Sequence, residues 1–172
     1  LYVYTRVFRD ACINAALYAV MLIVILLLFS FRNLLSSLVA MAPLVVGTAW
    51  TMGLMHLFGV DLNLANSLFL PLVVGAGVEY GIIVVQRWQQ RKGDGNVILP
   101  HSTGTGVILA GLTTTVGFGS LSLSRHQGIH SLGILTTIGS LSVLVAAIFF
   151  LPALLQILTH VSKKEPLENS TP

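Results

Sequence analysis

The sequence predicts an all-α integral membrane protein built as a bundle of five transmembrane helices. Composition is the first observation: of 172 residues, 55% are hydrophobic and only 9% are charged, whereas a soluble domain carries about 25% charged residues. The second is that the apolar residues form five segments, each near the roughly 20 residues that a helix needs to cross a bilayer. The third is that short polar or glycine-containing breaks separate them. The expected spans cover about residues 11–31, 34–58, 67–88, 103–123 and 132–158.

These segments are expected to form one five-helix transmembrane domain over residues 1–162, followed by a disordered cytoplasmic tail over residues 163–172. The tail is polar and ends in proline, and such segments bury too little apolar surface to fold. The first span is nearly pure aliphatic, so much of it should face lipid. Pro152 is expected to interrupt the last span near its end. The chain opens at Leu1 without a methionine, and we expect it to be a fragment of a longer protein.

The distribution of Lys and Arg over the short loops predicts the orientation, because positive residues concentrate on the cytoplasmic side. One side holds Arg32, Arg87, Arg91, Lys92, Lys163 and Lys164, and the other holds Arg6, Arg9 and Arg125. The first side is therefore predicted to be cytoplasmic. We expect a multi-pass protein of the bacterial inner membrane with its N-terminus in the periplasm and its C-terminus in the cytoplasm.

Other classes of function lack their signals. No basic patch with interleaved aromatic residues indicates a nucleic-acid partner. The single cysteine, Cys12, forms no internal disulfide and no cysteine metal site, and it is expected to pack in an apolar helix. The histidines His56, His101, His126, His130 and His160 all fall at span ends or in loops. His126 and His130 have an i, i+4 spacing, but Gly128 lies between them and no second ligand pair is evident. No hydrolase motif is present, so we expect no metal, no cofactor and no enzymatic activity.

Glu79 is the feature around which the chain is organised. It lies inside the third span, in the stretch LFLPLVVGAGVEYGIIVVQRWQQR. At 1.5 Å per helical residue, Glu79 lies roughly 12 Å from Arg87 and roughly 27 Å from Asp61, so it falls near the middle of a hydrocarbon layer of about 30 Å. An ionisable group at that depth costs at least a few kcal/mol and is a functional candidate, with a partner expected in the bundle.

The residues around Glu79 suit a proton relay. Gly77 and Gly81 are four apart and share a helix face that lets another helix approach closely, and Gly75 is a third expected packing glycine. Glu79 and Tyr80 point about 100° apart, so they would address two different partners. Burial raises the pKa of an acid, which brings proton uptake and release within ordinary pH. The alternative is a glutamate that snorkels or holds a fixed hydrogen bond and never titrates.

The fourth span carries Thr113, Thr114 and Thr115, together with glycines that include Gly117. Three successive threonines cover most of the helix circumference, so at least one should face the bundle interior; the alternative is that each hydroxyl bonds back to its own helix. We expect this span to be the close neighbour of the third and to supply hydroxyls to Glu79. A carboxyl that faced acyl chains or open water, with no small or hydroxylated helix beside it, would rule the relay out.

These motifs resemble the resistance-nodulation-division (RND) superfamily, and more closely its MMPL branch with the hopanoid transporters. The branch carries G-[IV]-[DE]-[YF]-[GA] on the fourth helix of each six-helix half, matched by Gly77, Val78, Glu79, Tyr80 and Gly81. The following helix carries L-T-T-x-x-G-F, matched by Leu112, Thr113, Thr114, Gly117 and Phe118. The resemblance covers about residues 13–158. The family acid is usually Asp, so Glu79 departs from the pattern by one methylene.

The resemblance implies that the chain is helices two to six of one half, with the tail pointing to the C-terminal half. It implies a motor domain of a proton-coupled exporter of lipids or other hydrophobic molecules, with membrane lipid and protons as partners. Glu79 and Tyr80 would pair with corresponding residues of the other transmembrane half, and the substrate path would lie largely in a periplasmic porter domain. The alternative function is a sterol-sensing-like regulatory module, which shares the five-helix layout and binds a lipid without proton coupling.

Overall fold

The computed structural model describes residues 2–59, 66–90 and 101–168, with side chains over residues 6–59, 67–90 and 102–159. Within these ranges the chain contains helices and turns and no strand. The helices are α1 (Tyr2–Phe31), α2 (Leu34–Leu57), α3 (Phe69–Gln90), α4 (His101–Leu121), α5 (Gln127–Val145) and α6 (Leu151–Glu168). A 3-10 turn, Asn66–Leu68, precedes α3, and a π-helical segment, Ala146–Phe150, joins α5 to α6.

The five predicted spans are confirmed. Five stretches of the described chain are long and apolar enough to cross a membrane: Arg6–Phe31, Leu34–Phe58, Phe69–Gln90, Ser102–Leu121 and Gln127–Thr159. The last span begins five residues before the predicted start, because His126 forms the N-cap and the helix includes the polar turn that follows it.

The disordered tail expected over residues 163–172 stays a prediction, although a helix is described as far as residue 168. The helix α6 continues to Glu168, and residues 169–172 lie outside the described part of the chain. Lysine, glutamate and leucine are good helix formers, so a helix that leaves the membrane can continue through this polar stretch.

The turn between α1 and α2 is two residues long. Arg32 adopts a positive φ of 49°, and the side chain of Asn33 accepts a hydrogen bond from the backbone N–H of Leu35 at 3.1 Å. This N-cap satisfies one of the free donors at the start of α2. So short a turn makes α1 and α2 antiparallel neighbours.

The centre of the bundle is formed by α2, α3 and α5, and α1 and α4 pack on its outside. Buried side chains come mainly from the central helices and include Phe69, Tyr80, Val84, Leu135, Val143 and Leu151. In α1 only 11% of the most apolar window is buried, against 50% in α3. The aliphatic first span is therefore exposed over most of its circumference, which is consistent with a helix that faces lipid.

Glycines bring the central backbones into close contact. A Cβ on Gly81 of α3 would lie 1.8 Å from the carbonyl oxygen of Ala40 in α2. A Cβ on Gly47 of α2 would lie 2.6 Å from the Cα of Val143 in α5. Small residues at such crossings are typical of membrane helices, where close van der Waals packing drives association.

The π-helical segment explains how the last span accommodates Pro152. In this segment the N–H of Leu151 bonds to the carbonyl of Ala146, five residues earlier. Proline has no N–H, and in a regular α-helix its ring would collide with the carbonyl four residues before it. The wider turn relieves that collision, so the predicted interruption is a π-bulge inside one continuous helix.

The ends of α2 and α3 are joined at the side of the bundle predicted to be cytoplasmic. The amide Nε2 of Gln89 donates to the hydroxyl of Ser36 at 2.9 Å. Ser36 is buried one turn into α2. The bond places the C-terminal end of α3 beside the N-terminal end of α2, so the basic residues of these two segments lie on the same side.

Candidate functional site

The carboxyl of Glu79 lies at mid-depth on an exposed face of the bundle. Glu79 is 10 residues from the first residue of α3 and 11 from the last, which corresponds to about 15 Å in each direction. Its side chain is exposed, and it forms no hydrogen bond or ion pair with any residue that the structure describes. The partner predicted for Glu79 is therefore not among the described residues, and the side chain lies on the exposed side of α3.

The exposed face of α3 has a regular composition. At 100° per residue, five residues of α3 lie within about 40° of their common mean direction around the helix axis: Leu72, Gly75, Glu79, Ile83 and Gln86. All are exposed except Ile83, which is half-buried. We call these five residues the Glu79 face. Along α3 this face begins at the apolar Leu72, continues through Gly75, Glu79 and Ile83, and ends at the polar Gln86.

Tyr80, the next residue of α3, lies on its buried side. It is 0% exposed, and its hydroxyl has no hydrogen-bond partner in the described part of the chain. The 100° between neighbouring residues thus separates Tyr80 from Glu79, as the sequence predicts. Tyr80 is therefore buried within this chain, and its pairing with a second transmembrane half stays a prediction.

The three threonines of α4 point in different directions. Thr113 is exposed, and its hydroxyl donates to the carbonyl of Leu109 at 2.8 Å. Thr115 is buried, donates to the carbonyl of Gly111 at 2.7 Å, and lies 3.0 Å from the hydroxyl of Ser140 in α5. Thr114 is half-buried. No hydrogen bond joins any of the three to Glu79 among the described residues.

The helix α4 is also not the principal neighbour of α3. It packs mainly against α5, while α3 packs mainly against α2. The Thr115–Ser140 bond is part of the α4–α5 contact. The expectation that α4 supplies hydroxyls to Glu79 within the bundle is therefore not met, although α4 does adjoin α3 and offers an exposed face with Thr113.

The four expected packing glycines divide into two pairs. A Cβ on Gly77 would lie 2.9 Å from the side chain of Leu44, and Gly81 contacts the backbone of α2 as described above. Around Gly75 and Gly117 nothing lies within 4 Å of such an added Cβ. Gly77 and Gly81 therefore pack helices together, whereas Gly75 and Gly117 lie on open surface and pack no helix in this chain.

One structural feature of this face is absent from the sequence-based site. An open cavity of about 310 Å³ lies at the polar end of the Glu79 face, lined by Ile83, Gln86, Arg87 and Gln90. A guanidinium nitrogen of Arg87 donates to the side-chain oxygen of Gln90 at 3.2 Å. The sequence indicates this cavity only through spacing: Ile83, Gln86 and Gln90 follow Glu79 by 4, 7 and 11 residues, which places them on the same side of the helix.

The two histidines near the turn between α4 and α5 are exposed, and one of them stabilises the turn. His126 and His130 are exposed, and the ring of His130 hydrogen-bonds to the carbonyl of Ser122. That carbonyl lies at the end of α4, where helix carbonyls lack partners in the helix. In the described part of the chain, no group of three or more His, Cys, Asp or Glu residues could hold a metal ion.

With the fold and the acid in place, comparison with known proteins decides the family. Residues 6–170 match the profile of the MMPL family. The chain belongs to the MMPL family. It is thus a member of the RND superfamily with hopanoid-transporter-like sequence, and the described chain has the helical bundle expected of such a membrane domain.

Several relatives of this MMPL chain are transporters. It is 36% identical over 151 residues to the hopanoid transporter HpnN of Rhodopseudomonas palustris. The aligned region covers 88% of this chain and 17% of that protein. It is 32% identical over 141 residues to the putative membrane protein MJ1562 of Methanocaldococcus jannaschii, covering 78% of this chain and 36% of that protein. It is 25% identical over 153 residues to the siderophore exporter MmpL5 of Mycobacterium tuberculosis, covering 82% and 16%. No solved structure matches the chain significantly.

The MMPL chain spans about one sixth of the length of the hopanoid transporters that it matches. Their names describe whole proteins. For this chain, the family match and the five apolar helices support a multi-pass transmembrane domain of an MMPL protein.

Proposed function

We propose that this chain is the transmembrane motor of a proton-coupled exporter of lipids or other hydrophobic molecules, and that Glu79 carries the proton. The observation that carries the proposal is the position of Glu79, exposed at mid-depth on a face with a small residue beside it. An acid that faced acyl chains permanently would cost at least a few kcal/mol. The relay therefore requires that another element covers this face, because an acid left exposed to acyl chains would rule the relay out.

The proposed cover is a second transmembrane half. The open space over Gly75 leaves room for another helix to approach the acid closely, as small residues do at membrane helix interfaces. The second half would supply the partner that the described part of this chain does not give Glu79. In RND relatives the two halves carry the same motif, so the corresponding acid region of the other half is the expected partner.

In the proposed cycle Glu79 takes up a proton from the periplasmic side and becomes neutral, which lowers the cost of its position in the membrane. This half then shifts against the other, and Glu79 releases the proton to the cytoplasmic side. Each charge that crosses the membrane gains about 2.3 kcal/mol per 100 mV of potential. That energy would move a periplasmic porter domain, where the substrate path lies.

The other predicted relay residues have unequal places in this proposal. Thr113 is exposed on α4 and could face the second half once its hydroxyl leaves Leu109. Tyr80 offers an unpartnered hydroxyl on the inner side of the same helix turn as Glu79. Thr115 is engaged with α5, so we assign it to packing.

The test is Glu79→Gln in the native protein, reconstituted in vesicles with an imposed proton gradient. Glutamine keeps the size and hydrogen-bonding capacity of the side chain but carries no exchangeable acid. We expect proton-driven export to fall to the level measured without a gradient, while membrane insertion and lipid binding stay unchanged. Glu79→Asp, which keeps an acid of the kind that the family motif usually carries, is the matched control and should retain export.

The same experiment separates the motor from the sterol-sensing-like alternative. A lipid-binding regulatory module needs no titrating acid at mid-depth. If the Gln variant exports as well as the native protein under the gradient, the motor assignment of Glu79 is wrong. Lipid binding with no gradient-driven export by the native protein would favour the regulatory module.

A further inference from the structure

The cavity at the end of α3 is placed to connect Glu79 with bulk water. Its volume of about 310 Å³ has room for several water molecules, since one water occupies about 30 Å³ in the liquid. Three of its four described lining residues are polar: Gln86, Arg87 and Gln90. The pocket is open to its surroundings, and its amide and guanidinium groups offer hydrogen-bond partners that a water molecule needs.

The cavity also lies on the same side of the helix as the acid. At 100° per residue, Ile83, Gln86 and Gln90 point about 40°, 20° and 20° away from the direction of Glu79. Their depths differ from that of Glu79 by about 6, 10 and 16 Å. The cavity thus begins one helical turn from the acid and reaches the end of the helix.

The lining residues suit the passage of protons. The amides of Gln86 and Gln90 donate and accept hydrogen bonds but do not titrate, and the Arg87 guanidinium keeps its charge. Such groups can order water without holding a proton themselves. Glu79 is the only Asp or Glu in α3, so a proton that crosses this face has one carboxylate at which to bind.

Between the acid and the water lies Ile83, which is half-buried. Side chains on a helix lean toward its N-terminus, so the carboxyl of Glu79 points away from the cavity and the apolar turn of Ile83 separates the two. An apolar separation is what a coupled transporter requires, because an open water path from both sides would let protons leak.

We propose that this cavity is the cytoplasmic vestibule through which Glu79 exchanges its proton, and that Ile83 is the apolar gate between them. This inference rests on the proposed motor function and assigns positioning roles to Ile83 and Gln86. It predicts that water from the cytoplasmic side reaches Gln86 but does not pass Ile83 to Leu72, the equivalent position above the acid.

The first test measures water access directly. In a cysteine-free background, with Cys12→Ala in this chain, single variants Gln86→Cys and Leu72→Cys are treated with a membrane-impermeant cationic thiol reagent. The two positions lie seven residues below and above Glu79 on the same face. In vesicles with the cytoplasmic side outward, we expect Gln86→Cys to react at least ten times faster than Leu72→Cys. Equal rates, or reaction of Gln86→Cys only from the periplasmic side, would overturn the proposal.

The second test addresses the gate. Ile83→Trp should lower proton-driven export at least tenfold while Gln86→Cys beside it remains reactive, because the larger ring blocks the path above the vestibule. Ile83→Ala, the matched small variant, leaves the path open, so it should retain more export than the Trp variant but dissipate the imposed proton gradient faster than the native protein. Thermal unfolding in detergent is measured to check that both variants fold. Equal export by the Trp and Ala variants, both folded, would show that Ile83 is no gate.

The labelling test is independent of the motor test. The reagent reaches Gln86→Cys whether or not Glu79 carries a proton, so the experiment is repeated with Glu79→Gln present. Unreactive Gln86→Cys together with loss of export in Glu79→Gln would refute the vestibule and leave the motor intact. Reactive Gln86→Cys together with full export in Glu79→Gln would refute the motor, and with it the role of the vestibule in proton exchange.

Discussion

The contact between α2 and α3 at Gly81 gives the sharpest stability prediction. A Cβ at this position would lie 1.8 Å from the oxygen and 2.8 Å from the carbonyl carbon of Ala40. The opposing atoms belong to a helix backbone and cannot rotate away as the end of a side chain can. Gly81→Ala therefore forces α2 and α3 apart by roughly 1 Å or more at the point where they cross.

The size of the effect follows from two opposed terms. Overpacking a core by one carbon costs about 1–3 kcal/mol, and a rigid backbone neighbour places Gly81 at the upper end. Replacing glycine by alanine inside a helix returns about 0.5–1 kcal/mol. The expected net loss is about 2 kcal/mol, which corresponds to a melting temperature lower by about 4–8 °C for a chain of this size.

Thermal unfolding of the detergent-solubilised native protein, followed by the loss of monodisperse material on size exclusion, measures this shift. The matched control is Gly53→Ala in α2, where nothing lies within 4 Å of the added Cβ. That variant should be as stable as the native protein or slightly more so. If Gly81→Ala unfolds at the same temperature as Gly53→Ala, the helices do not approach as closely as described.

Two further predictions concern α4 and the Glu79 face. Thr115→Val should destabilise the bundle by about 0.6 kcal/mol and by no more than about 1.7 kcal/mol, the average and the maximum for interhelical hydrogen bonds in membranes, and a double-mutant cycle with Ser140→Ala should show the coupling. Thr113→Val, which loses only a bond to its own helix, should leave the unfolding temperature unchanged; an equal loss would contradict the assignment. Gly75→Leu should leave the unfolding temperature of the isolated chain unchanged but lower export, because the leucine fills the space proposed for the second half. Undiminished export by this variant would show that the face is not covered there.

The helices could be predicted from the sequence because the membrane fixes their length. A span needs about 20 apolar residues, and the polar breaks in this sequence leave little freedom in where each span begins. The tail was less predictable. Polarity indicates that residues 163–168 lie outside the membrane, but it does not decide between a disordered chain and a helix that continues into water.

The direction of Glu79 could not be taken from apolar periodicity, because lipid and core are both apolar and every face of a membrane helix looks buried. The positions of the packing glycines indicate the direction of Glu79 instead. Gly77 and Gly81 each stand two residues from Glu79, which is about 200° around the helix. A face that packs on these two glycines places the acid on the opposite side, and this is where the structure has it.

The same geometry determines how the bundle can move in the proposed cycle. At Gly81 and at Gly47 the central backbones touch, and close-packed interiors of this kind transmit displacement but do not deform continuously. Protonation at Glu79 changes charge on the outer face, where the described chain offers no partner, and leaves the buried contacts untouched. The motion that such an acid can drive is therefore a shift of the whole bundle against whatever covers the Glu79 face. A transport cycle built on internal rearrangement of these five helices would instead require the acid to lie among α2, α3 and α5, where the structure places glycine.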